Sequence, residues 1–139
     1  MKFAHNMIRV RDLEKALNFW CNIMDFEEVK RSEYERGRFS LVFLKQKNDD
    51  LVIELTHNWD HTDDYTNGTN FGHIAFYVDD IYNLCEKFQE KKVDILRPPR
   101  DGRMAFIKSP NNISIEFLQV GEALDVKEPW LSMMNQGSW

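Results

Sequence analysis

The sequence predicts an α+β fold built from two βαβββ repeats, and two observations carry that prediction. Residues 3–13, FAHNMIRVRDL, align with residues 71–81, FGHIAFYVDDI, at an offset of 68, with four identities in eleven positions. Phe3, His5, Val10 and Asp12 meet Phe71, His73, Val78 and Asp80. Each half then closes on a strand that carries a carboxylate inside an apolar run, LVIEL at 51–55 and ISIEF at 113–117.

The elements follow in order. A strand near 3–10 leads to Asp12, placed to cap a helix by accepting hydrogen bonds from its first free amides. Leu13, Ala16, Leu17 and Trp20 then give the i, i+3, i+4, i+7 stripe of an amphipathic helix. Strands are expected near 26–35, 38–46 and 50–57. The polar stretch 58–70, NWDHTDDYTNGTN, reads as a linker. In the second half a strand near 71–78 is followed by a cap at Asp80 or Asp79 and a helical stripe of Ile81, Leu84, Cys85 and Phe88. Strands near 93–97, 103–109 and 113–120 complete it, and RMAFIKS (103–109) matches RFSLVFL (38–44). Pro110-Asn111-Asn112 separates the last two strands, because asparagine tolerates the left-handed backbone of a tight turn. The organisation expected is one domain over 1–120, from repeats 1–57 and 71–120 with linker 58–70. A tail over 121–139 follows, whose Trp130 and Trp139 suggest that it packs on something and does not float free.

Composition narrows the function classes. The chain has 139 residues, 42% hydrophobic and 29% charged, enough apolar material for a core and enough charge for a soluble surface. The longest apolar run, Ile74 to Val78, falls far short of a membrane span, and MKFAHNMIRV lacks the apolar region of a secretion signal. A formal charge of −5 fits nucleic acid poorly as principal partner. Cys21 and Cys85 lie in helical patterns without metal-type spacing, which reads as reduced thiols and a cytoplasmic setting.

The repeat also places one histidine and one glutamate at matching positions in each half: His5 with Glu54, and His73 with Glu116. All four fall in strands, where side chains alternate faces with period two. His5, Met7 and Arg9 therefore share a face, as do Glu54, Thr56 and Asn58. A lone strand histidine is usually structural, but a carboxylate flanked by isoleucine and leucine must be compensated, since burying it unpaired costs several kcal/mol. Two imidazoles and two carboxylates, brought together by a rotation relating the halves, suit an octahedral divalent transition metal with open positions. His57, on the opposite strand face from Glu54, and His61, in the linker, read as surface residues.

The stretches HNMIRVRDLEKALNFW (5–20), SLVFL (40–44), VIELTHNW (52–59), FGHIAFYVDD (71–80) and MAFIKSPNNISIEFLQ (104–119) resemble glyoxalase I, of the vicinal oxygen chelate superfamily. The resemblance implies a barrel-like arrangement of the two repeats across a dimer. It also implies metal ligation by His5, Glu54, His73 and Glu116, with His73 beside the substrate as well, and thiol contacts from Arg9 and Asn58. Where relatives have D-P-D-G this chain has S-P-N-N, a turn change. Its stretch RPPRDGR (97–103) is shorter than in several relatives, leaving Arg97, Arg100 and Arg103 as alternative sources of a basic thiol contact, or as solvated turn residues.

The implied activity is isomerisation of the methylglyoxal–glutathione hemithioacetal to S-lactoylglutathione, with Glu116 as base and Glu54 as its counterpart for the opposite face. The implied metal is Ni2+ or Co2+ ahead of Zn2+, and the implied assembly is a homodimer with sites shared between chains. Rival readings are an iron-dependent extradiol dioxygenase, against which Glu54 counts as a fourth ligand, and an acyl-CoA epimerase, whose relatives usually carry glutamine there. A further rival is a non-catalytic antibiotic-binding protein, whose relatives have generally lost the ligand set.

Overall fold

Asp12 and Asp80 start the helices as their chemistry dictates: the Asp12 carboxylate accepts from the Lys15 amide at 3.0 Å and that of Asp80 from the Asn83 amide at 2.9 Å. The computed structural model describes residues 1–47 and 50–139, which form two units, Met1–Thr66 and Asn67–Trp139.

The first unit runs β1 (Asn6–Arg9), α1 (Leu13–Leu17), a π-helical turn (Asn18–Ile23), β2 (Glu27–Tyr34), β3 (Phe39–Lys45) and β4 (Val52–Asn58). Its sheet has the order β1-β4-β3-β2, with β1 parallel to β4 and the other pairs antiparallel. The expected helical stripe is altered by the π turn. Widening the helix brings both Phe19 and Trp20 inward beside Ala16, all three buried, while Leu13 and Leu17 stay partly exposed. Phe19, Trp20 and Phe26 pack edge to face, with centroids 5.4 and 5.3 Å apart, over Val42, Leu44, Ile53 and Leu55.

The second unit runs β5 (His73–Val78), α2 (Ile81–Glu90), β6 (Met104–Lys108) and β7 (Ser114–Gln119), with sheet order β5-β7-β6 and β5 parallel to β7. Gln119 ties the sheet to the helix start: its side-chain oxygen accepts from the Ile81 amide at 3.0 Å, and its nitrogen donates to the Asp79 carbonyl at 2.8 Å. Ile81, Cys85 and Phe88 bury the apolar stripe of α2 against Ala105, Ile107, Ile115 and Phe117. Asn112 holds the left-handed conformation (φ 62°) in the turn between β6 and β7, and the Ser109 hydroxyl accepts from the Asn111 and Ile113 amides.

One expected strand does not form as such. Residues 93–97 meet β6 at one point, an isolated bridge between Arg97 and Phe106 at which the Leu96 amide also donates to the Phe106 carbonyl at 2.8 Å. Pro98 and Pro99 follow at once and have no amide hydrogen to extend a ladder. The tail takes up the outer side of this segment instead, with the Gln136 amide donating to the Leu96 carbonyl at 2.8 Å.

The tail packs on the second unit. Trp130 is fully buried and stacks on Tyr82, whose hydroxyl donates to the Asp125 carbonyl at 3.2 Å. Gly102 lies at φ 64° against the tail; a Cβ there would stand 2.1 Å from the Leu124 carbonyl oxygen, so no other residue fits without moving the backbone. No helix among the described residues is long and apolar enough to cross a membrane.

Candidate metal centre

In each unit the face of the sheet away from the helix carries the glutamate and the histidine that meets it. In β4, Ile53 and Leu55 point to the helix, whereas Glu54 and Thr56 point to the open face, where Glu54 stands between Met7 of β1 and Phe43 of β3. The His5 imidazole, one same-face position before Met7, reaches the Glu54 carboxylate with Nε2 to Oε2 at 2.9 Å. The Thr56 hydroxyl donates to the other carboxylate oxygen at 3.1 Å. Phe43 meets the imidazole edge to face at 5.8 Å, and the Lys30 ammonium lies over the same phenyl ring at 5.5 Å.

The second unit repeats the His–Glu pair and its edge-to-face phenyl ring, with Leu118 where the first has Thr56. Glu116 stands between Ala75 of β5 and Phe106 of β6. His73 Nε2 lies 3.0 Å from Glu116 Oε2, and Phe106 meets the His73 ring at 5.5 Å and 90°. The glutamate side chains are 11% and 10% exposed, the imidazoles 37% and 43%. Each carboxylate is thus compensated by an imidazole that itself remains open to incoming ligands. Among the described residues no three His, Cys, Asp or Glu side chains gather within one site, and each unit supplies one nitrogen–oxygen pair.

Arg9 is exposed on the open face, beside Thr56 in register. The Asn58 amide donates to the Tyr65 hydroxyl at 2.9 Å, and Tyr65 stacks on His61 at 4.2 Å. The two remaining histidines are not simple surface residues. His57 is half-buried with Nδ1 3.2 Å from the Val10 carbonyl oxygen, and His61 Nε2 is enclosed without a hydrogen bond among the described residues. His57 occupies the helix-facing register with Ile53 and Leu55, which explains its burial.

All three arginines in 97–103 bond partners within the fold, two of them through two contacts each. Arg97 bonds the Met104 carbonyl and, at 2.7 Å, the Asp101 carboxylate. Arg100 clasps the tail through the Met133 carbonyl at 3.0 Å and the Asn135 side chain at 2.7 Å. The Arg103 guanidinium donates to the Gly121 carbonyl at 3.4 Å, a longer contact than those of the other two.

Sequence reasoning missed Phe43 and Phe106. Aligning residues 38–44 with 103–109 set Leu41 against Phe106, whereas Phe43 and Phe106 are the residues opposite the two glutamates. The slip is two residues, so the face assignments survive. What marks them is the antiparallel pairing of each glutamate's strand with the strand before it, which sets a phenylalanine opposite each carboxylate. Tyr65 was hidden in the polar segment after β4, where no periodicity marks a side chain that turns back onto Asn58.

The chain belongs to the Glyoxalase/Bleomycin resistance protein/Dioxygenase superfamily, whose family model matches residues 2–117. Among its relatives is a probable lactoylglutathione lyase of Synechocystis, 39% identical over 132 residues, covering 90% of this chain and all of that protein. The lactoylglutathione lyase of Neisseria meningitidis serogroup B is 40% identical over 126 residues, covering 86% of this chain and 91% of that one. Among solved structures, the trypanothione-dependent glyoxalase I of Leishmania major superposes with a TM-score of 0.79 at 30% identity, covering 86% of each chain.

Proposed function

We propose that the protein is a lactoylglutathione lyase, a metal-dependent isomerase that converts the methylglyoxal–glutathione hemithioacetal to S-lactoylglutathione. The observation that carries this reading is the doubled His–Glu pair, with an imidazole Nε2 against a glutamate Oε2 on the open face of each sheet. Two imidazole nitrogens and two carboxylates fit one divalent ion with positions left for substrate oxygens. His5, Glu54, His73 and Glu116 would hold that ion, which supplies Lewis-acid stabilisation of charge on the adjacent substrate oxygens. Ni2+ or Co2+ is favoured, with Zn2+ as the alternative.

Glu116 takes the proton from the thiol-bearing carbon and returns it to the neighbouring carbon, while the hydroxyl proton of the first carbon's oxygen passes to the second carbon's oxygen. This gives the 2-hydroxyacyl thioester with no change of oxidation state overall. Glu54 serves the opposite face. His73 lies beside the substrate as well as ligating. Arg9 meets a carboxylate of glutathione. Asn58, with an amide hydrogen already given to Tyr65, offers its carbonyl oxygen to a peptide N–H of the thiol carrier.

In this proposal residues 1–120 act as one domain of repeats 1–57 and 71–120 joined by 58–70, and a cytoplasmic homodimer shares its sites between chains. Supporting the dimer, β1 and β5 each form an edge of their own sheet, and Met7 and Tyr77 on the same faces as the histidines are 42% and 76% exposed.

The test is a chelator-stripped preparation reloaded with Ni2+, Co2+ or Zn2+ and assayed by ultraviolet absorbance of the product thioester. Thioester formation that depends on added metal is expected. No thioester with any of the three ions removes the reading.

A further inference from the structure

The tail lies beyond the family match, which ends at residue 117, yet it is held firmly to the second unit. The buried Trp130 anchors it on Tyr82, Arg100 clasps Met133 and Asn135, and the Gln136 amide bonds the Leu96 carbonyl at 2.8 Å. Gly137, at φ 62°, turns the backbone just past this last contact. Trp139 then comes to rest with its ring centroid 6.0 Å from that of Phe106, tilted by 35°. Phe106 is the ring that meets His73 edge to face and stands opposite Glu116.

Burial does not account for this placement. Trp130 is wholly buried, as a tryptophan serving only as an anchor would be, whereas Trp139 remains 41% exposed. Several contacts upstream fix the backbone, and the result is a half-open indole one ring away from the His73 imidazole.

We propose that Trp139 is a specificity-determining residue: with Phe106 it forms the apolar wall on which the carbon substituent of the 2-oxoaldehyde packs. The inference rests on the isomerase reading above. Within the hemithioacetal, the thiol carrier has charged and peptide groups suited to Arg9 and Asn58, and the reacting carbons carry oxygens. The aldehyde's own substituent is the part with neither charge nor hydrogen-bonding group when it is alkyl or aryl. Aromatic walls hold such a group in proportion to the area it covers, so a phenyl substituent gains more from Trp139 than a methyl does.

The experiment compares wild type, W139A and W139F on the glutathione adducts of methylglyoxal and phenylglyoxal, with thermal midpoints measured in parallel. W139A is expected to lose kcat/KM on the phenyl adduct by about tenfold more than on the methyl adduct. W139F should restore most of that selectivity, and the three midpoints should agree. Equal losses on both adducts, no loss, or a shift of selectivity toward the phenyl adduct overturns the inference while leaving the isomerase reading intact. A wild-type protein inactive on both adducts overturns the two together.

Discussion

His73 Nε2 lies 3.0 Å from Glu116 Oε2 although the two residues are not register partners: Ala75 stands beside Glu116, and the imidazole reaches it diagonally across the parallel pair β5–β7. His5 reaches Glu54 in the same diagonal way past Met7. The contact pairs a carboxylate that would otherwise be buried at a cost of several kcal/mol, while Phe106 meets the same imidazole edge to face at 5.5 Å.

Because Glu116 is assigned the proton transfer, E116Q is expected to lose on the order of 10²–10⁴ in kcat. Its circular dichroism should match wild type, since glutamine keeps the shape and can still hydrogen-bond His73. Near-normal turnover at normal metal content would move the base role to Glu54.

Metal affinity distinguishes the two faces of β4. E54Q is expected to weaken Ni2+ or Co2+ binding in a calorimetric titration, whereas H57Q, on the helix-facing register beside Val10, should bind as wild type does. Equal weakening in both variants would contradict the assignment of faces.

Sharing of sites between chains is tested by mixing. On the dimer proposal, the H5A and E116Q variants, each expected to have lost nearly all activity, are unfolded and refolded together. Random pairing makes half the dimers mixed, and half the sites in those are undamaged, so activity should return to about a quarter of wild type. If one chain supplied all four ligands, every site would keep a lesion and the mixture would stay inactive.

Burial pushes the Cys85 thiol up to about 12, so at pH 8 only about one molecule in ten thousand carries the reactive thiolate. Cys21 is also raised by desolvation, but it is partly exposed. A disulfide reagent should modify the native protein at Cys21 first, with Cys85 following only on unfolding. Equal rates at the two positions in the folded protein would show that α2 opens readily.

Much of this was legible from strand parity. Alternation alone grouped Glu54, Thr56 and Asn58 on one side of their strand and His5, Met7 and Arg9 on one side of theirs, because a period of two survives small errors in strand ends. The register of β1 with β4 then puts both groups on the same open face. The helix caps were legible because the aspartate and the amide it satisfies are close in sequence. The π turn at Asn18–Ile23 was not: what favours it is the joint burial of Phe19 and Trp20 against a sheet formed by distant residues. The segment 93–97 has strand-like composition, but its outer partner is a tail residue, Gln136, and that pairing is tertiary. The uses of Arg100 and Arg97 were hidden for the same reason, since a guanidinium's partner is fixed only once the turn and the tail have folded.

The even spacing of the residues on β1 and β4 constrains how this chain tolerates change in length. A single-residue insertion between His5 and Arg9, or between Glu54 and Asn58, would send everything beyond it to the helix side, moving Arg9 or Asn58 into the core and an aliphatic residue outward. Point substitutions along the same strands alter one contact each. Drift in this protein should therefore be permissive in side-chain identity and strict in residue count within those two strands, with gains and losses of length confined to the connections beyond them.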